Sequence, residues 1–165
     1  MRRAALALTL CAALGCPAAP TTPEVTNTCT AEPGPADGQP TASLGRQVDG
    51  PFQPLVDGDV LPIVHGPQGG QHVYVSVRSF TRTSGTWVYT FRVEDAQGTE
   101  VGSSTQAVNA CGPGWTTSTY VRVFLDYSAT GSSVVFLSAR PQGSPPPVPD
   151  AGVGPLDQQV HVTLQ

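Results

Sequence analysis

Apolar residues recur at every second position in a series of short runs, a period that strands satisfy and helices do not. HVYVSVR (His72–Arg78) sets Val73, Val75 and Val77 on one face. TWVYTFRV (Thr86–Val93) does the same with Trp87, Tyr89, Phe91 and Val93, leaving Thr90 and Arg92 opposite. YVRVFLD (Tyr120–Asp126) directs Val121, Val123 and Leu125 inward, and VHVTL (Val160–Leu164) directs Val160, Val162 and Leu164. SVVFLS (Ser133–Ser138) is apolar on both sides, as a central strand is. Two weaker strands are expected at Val60–Val64 and around Thr99–Val108, and no segment carries an apolar stripe at helical spacing. Short strands separated by Gly, Ser, Asp and Asn turns predict an all-β fold: a single immunoglobulin-like β-sandwich of about seven strands over residues 51–165. The proline-rich stretch 141–156 is expected to be a solvated loop between the last two strands.

The segment before this domain reads differently. Arg2 and Arg3 precede an apolar run, Ala4–Leu14, that is far shorter than the roughly 20 residues of a membrane-spanning helix. Residues 1–15 therefore read as an export signal. The run ends in AALGC (Ala12–Cys16), which resembles a bacterial lipobox with Ala13 in place of the usual leucine. That resemblance implies lipidation of Cys16 and cleavage just before it, the alternative being ordinary cleavage near Ala18 or Ala19. Two acyl chains would hold a protein stably at a membrane, where one would not. Residues 16–50 are rich in proline and small polar residues and are expected to form a semi-rigid tether.

Cysteine arithmetic agrees with lipidation. Cys11 leaves with the signal, and lipidated Cys16 leaves only Cys29 and Cys111 to pair in an oxidising envelope. A zinc site is the alternative use of these thiols, but no C-x-x-C spacing supports it. With Arg2 and Arg3 removed, six arginines stand against twelve acidic residues, a net −6, and the chain contains no lysine. Nucleic acid is thus an unsuitable partner. The expected location is the cell envelope, lipid-anchored, with a mild preference for the outer membrane because Pro17 rather than Asp follows the cysteine.

Residues able to carry chemistry are sparse. There is no G-x-S-x-G elbow, no S-x-x-K and no lysine for a Schiff base, so no catalytic residue and no cofactor is assigned. Asp57-Gly58-Asp59 opens like a calcium loop but lacks its later ligands, and Asp95–Gly98 reads as a hairpin turn. Trp115, four residues from Cys111, is expected either to pack against the disulfide or to serve as a ligand contact. The stretch HGPQGGQH (His65–His72) lacks the ending of a phosphate loop. If 66–71 is a six-residue hairpin loop, His65 and His72 become a facing pair within reach of one copper or zinc ion. Such a site would need His161 or an acid to complete it, and the competing reading is a structural turn.

The longer pattern LVDGDVLPIVHGPQGGQH (Leu55–His72), following a lipobox and a proline-rich tether, resembles uncharacterised lipoproteins of myxobacterial type. That resemblance implies an immunoglobulin-like β-domain and brings no known activity. The chain is therefore expected to be a membrane-anchored binding or structural module, not an enzyme, whose partner is another envelope protein or a polysaccharide. A periplasmic copper or zinc binder using His65 and His72 is the alternative, and an envelope enzyme of unrecognised type the further one.

Overall fold

The computed structural model describes residues 23–144 and 156–165, so the signal segment, Cys16 and residues 145–155 of the proline-rich loop lie outside the described residues. The described chain is all-β. Its strands are β1 (Thr26–Thr30), β2 (Thr41–Arg46), β3 (Asp59–Leu61), β4 (Val64–His65), β5 (Gln71–Thr81), β6 (Ser84–Asp95), β7 (Glu100–Cys111), β8 (Gly114–Leu125), β9 (Gly131–Pro141) and β10 (Asp157–Leu164).

The strands divide into two layers. In one, β5 lies between β2 and β8, with β4 folded back on the start of β5 and β1 along β8. In the other, the order is β7-β6-β9-β10-β3. All pairs are antiparallel except β3 with β10. The layers join where β7 meets β8, and that ladder spans only two pairs, Gly102–Leu125 and Ser103–Phe124. Glycine is required there: a Cβ on Gly102 would lie 2.5 Å from the Phe124 carbonyl oxygen. On the open side the Leu44 amide donates to the Gln158 side-chain oxygen and ties the layers together. The sandwich expected from the sequence forms from β2 and β5–β10, and β1, β3 and β4 are short additions to it.

Alternation explains the core. Val73, Val75 and Val77 of β5, Tyr89, Phe91 and Val93 of β6, and Val121 and Val123 of β8 are all fully buried. β9 is central in its layer, flanked by β6 and β10, with Val135 and Leu137 buried. Towards one end the inward row changes character, from Val73, Val75 and Val77 to Ser79 and Thr81 on β5, and to Ser118 and Thr116 on β8. Tyr89 comes in from the opposite layer, and its hydroxyl hydrogen-bonds Ser79 at 2.8 Å. Burial pushes the phenol above its ordinary 10.0, with the Ser79 and Ser118 hydroxyls partly offsetting it, so the ring stays neutral. A tyrosine is suited to this place because its ring fills the core and its tip finds a hydroxyl.

The tether expectation needs correcting. β1 and β2 both lie inside 16–50, and Ala42 and Leu44 belong to the core. The ordered domain thus begins by Thr26, not near residue 51. Composition misled here: β1 is uncharged and threonine-rich, and Thr41–Arg46 offers only two apolar inward side chains, which is too short a run to register as periodic. The expected disulfide is present, with Cys29 bonded to Cys111 across 82 residues of sequence.

Two substitutions separate the two kinds of core contact. Phe91→Ala is expected to cost about 3–5 kcal/mol through a cavity at a fully buried site. Tyr89→Phe, which removes one hydroxyl and strands that of Ser79, is expected to cost about 1–3 kcal/mol. Urea denaturation of both variants checks the order; equal losses would contradict it.

Candidate functional site

The hairpin between β4 and β5 is tighter than the six-residue loop considered from sequence. The Gly66 amide donates to the Gly70 carbonyl at 2.7 Å, the Gly69 amide donates to the Gly66 carbonyl at 2.9 Å, and Gly69 takes a φ of 85°. The loop therefore contains five residues, and His65 pairs with Gln71 while Val64 pairs with His72. This shift by one residue matters because neighbouring strand residues point to opposite faces. His65 is exposed on one face and His72 is buried on the other. The facing pair that a chelate requires does not form. His161 lies on β10 in the other layer, its backbone N–H donating to Asp57 Oδ1 at 2.9 Å. Among the described residues, no group of three or more His, Cys, Asp or Glu side chains is placed to hold a metal ion.

The Asp57-Gly58-Asp59 turn is structural. Asp59 accepts two hydrogen bonds from Arg46, at 2.8 and 2.6 Å, and one from the Val56 amide at 2.9 Å. These bonds tie β3 to β2. Asp95 likewise caps its own hairpin, with Oδ1 accepting the amides of Gln97 and Thr99 at 2.9 Å each.

Trp115 does not pack against the disulfide. Cys29 pairs with Thr116, whose side chain is buried inward, so the adjacent Trp115 points to the other face of β8, away from the disulfide. There its ring packs on Phe80 at 5.5 Å between centroids, and the Arg78 guanidinium lies 4.3 Å from the indole centroid. The indole N–H donates to the Pro33 carbonyl at 2.9 Å, and Arg78 pairs with Glu32 at 2.5 Å. The indole thus clamps residues 32–33 onto the sheet, and its donor is already used.

Alternation also sets a row of rings along the outward face of β5 and β8. His72 meets Tyr74 edge-on at 4.8 Å and lies 6.3 Å from Phe124, and Tyr74 meets Tyr120 edge-on at 5.8 Å. A bulge aims Tyr120 into this row: the register shifts between Val75 and Val77, where Thr119 and Tyr120 stand against Ser76. Tyr120 has a φ of 56°, a left-handed conformation that a non-glycine residue adopts only when held. The holding contacts come from the segment after β2. Gln47 Oε1 accepts the Tyr120 amide at 2.6 Å, and the Tyr120 hydroxyl donates to Asp49 at 3.3 Å.

At the end that carries the Gly66–Gly70 loop, the two layers leave a depression of about 210 Å³ lined by Glu100, Gly102, Ser103, Phe124, Leu125 and Asp126. Phe124 is 54% exposed and the nearby Tyr127 74%. An exposed ring between two carboxylates and a serine hydroxyl offers contact chemistry.

His72 sits at the head of the ring row, buried, with Nε2 unpartnered. Burial lowers its pKa, and the Arg122 guanidinium lowers it further. Because the folded value lies below the unfolded 6.5, the unfolded chain takes up protons first. The stability contributed by the neutral ring is complete above pH 6.5 and is lost as pH falls towards the folded value. Wild-type protein is expected to lose more urea stability between pH 7 and pH 5 than His72→Phe, by no more than about 1.4 kcal/mol per pH unit. Parallel pH profiles for the two proteins would contradict this assignment. Zinc or copper titration is expected to show no stoichiometric binding that His65→Ala or His72→Ala abolishes.

No protein-family model matches this chain, and no curated protein matches it. Among solved structures it is similar to "Structure of the N-terminal domain of PorA", with a TM-score of 0.35 at 10% identity, over 76% of this chain and 98% of that one.

Proposed function

We propose that this chain is an envelope lipoprotein, anchored through a diacylated Cys16, that presents its β-sandwich as a non-catalytic binding or structural module. The observation that carries the reading is the use of the cysteines. Cys29 and Cys111 are bonded to each other, so once residues 1–15 are removed Cys16 has no other cysteine in the chain to pair with. A lone thiol is unusual in an exported protein. Its place at the end of AALGC gives it a use as a lipid attachment point. Among the described residues no helix is long and apolar enough to cross a membrane.

The binding part of the reading rests on how the side chains are employed. The carboxylates of Asp59 and Asp95 close turns, that of Asp57 accepts the His161 amide of β10, and the indole of Trp115 clamps its own chain. What faces outward at one end is Phe124, Tyr127, Glu100 and Asp126 around a shallow depression. Such a polar, aromatic surface suits contact with another envelope protein or a polysaccharide.

Lipidation is tested by expressing the full chain and its Cys16→Ser variant in a Gram-negative host. The wild type is expected in the membrane fraction with an intact mass that includes acyl chains. Cys16→Ser is expected to lose that mass and to move to the soluble envelope fraction. An unacylated wild-type Cys16 would end the reading.

A further inference from the structure

The two edges of β8 are treated differently. One is paired with β5 from Gln71–Leu125 to Thr81–Gly114. The other meets β7 only at Phe124 and Leu125, after which the strands part into separate layers. Between Trp115 and Thr119 that second edge would be bare if β1 did not pair with it, from Thr26–Thr119 to Thr30–Trp115. β1 is weakly held for a strand in this position. Four of its five residues are exposed and none belongs to the core, so its side chains add little burial to the ladder. Beyond this ladder, Val25 just before β1 packs against the core, and the Cys29–Cys111 bond ties β1 to the end of β7, with Cys29 exposed and Cys111 half-buried.

The chain after β1 is fastened separately. Glu32 pairs with Arg78 at 2.5 Å, the Pro33 carbonyl accepts the Trp115 indole N–H at 2.9 Å, and the Gly38 carbonyl accepts Arg82 Nε at 2.8 Å. Loss of the disulfide would therefore leave the chain up to Thr30 held only by its ladder to β8 and by Val25, while residues 32–38 keep their own contacts.

We propose that Cys29–Cys111 is a thiol-exchange site that gates the β8 edge as a docking seat for an extended strand of another protein. A protein dithiol of the envelope is the reductant. One of its thiolates attacks the accessible sulfur, its second thiol resolves the mixed disulfide, and it leaves oxidised while Cys29 and Cys111 become thiols. β1 then leaves, and residues 115–119 offer unpaired main-chain groups. The occupant is defined by what sits there now: a short, uncharged, threonine-rich segment running antiparallel to β8 and recognised through its backbone. Reduction thus converts a self-capped edge into an acceptor edge. The proposal rests on the envelope location read above but not on the lipid anchor.

Amide hydrogen exchange on the full chain tests it, before and after reduction with dithiothreitol and with complete thiol formation verified by mass. The double variant C29S/C111S provides the permanently open form. Reduction is expected to raise exchange at least tenfold in residues 26–30 and at the amides of 115–119 that face β1, with β6 and β9 unchanged. A synthetic peptide of residues 24–31 carrying C29S, added to the reduced protein, is expected to restore at least half of the lost protection at 115–119. Unchanged protection after complete reduction would overturn the proposal, because the ladder alone would then hold β1. Loss of protection throughout β6 and β9 would also overturn it, since the bond would then be a staple for the whole domain. An opened edge that gains no protection from millimolar peptide would end its role as a docking seat.

Discussion

Everything in this domain depends on how the inward face of β6 meets the inward face of β5 and β8. β6 pairs with β7 on one side and β9 on the other, so its position fixes one whole layer. Its row Trp87, Tyr89, Phe91 and Val93 shares a single buried cluster with the valines of the opposite layer. Since side chains alternate strictly along a strand, the burial of this one row also decides which face of every hydrogen-bonded neighbour turns outward. The ring row on β5 and β8 is the far side of that decision.

The two layers cannot remain paired at every edge, and the molecule resolves this at a single corner. Gly102 lets β7 and β8 touch for two pairs, after which β7 follows β6 into the other layer. The β8 edge left behind is covered by β1, and the disulfide joins that cover to the strand that departed. Depression, corner glycine and covering strand are thus three results of one topological event.

The strongly periodic strands were legible from sequence, and their inward residues are the buried ones. The legible part ended where a single residue decided the outcome. His65 and His72 were correctly placed on either side of a turn, but whether they faced each other turned on a loop of five residues instead of six, which composition cannot distinguish. β1 and β2 were missed because proline and threonine around them resemble a spacer, and what orders them is tertiary: a disulfide, a β8 edge and the Trp115 clamp. Tyr120 was counted within a regular strand, whereas the bulge beside it depends on Gln47 and Asp49 some seventy residues earlier. Local pattern reads pairing partners poorly whenever they are distant in the chain.

The Cys29–Cys111 bond also has a mechanical consequence. It closes a covalent ring with a sequence separation of 82 residues, which encloses β2 through β7. Tension entering from the N-terminal side reaches Cys29 and passes directly to Cys111, so no chain inside the ring can be drawn out. Fully extended, a segment of that length would span on the order of 270–300 Å. For a domain pulled from that side, the bond sets a hard stop on how far the protein can lengthen while it is intact.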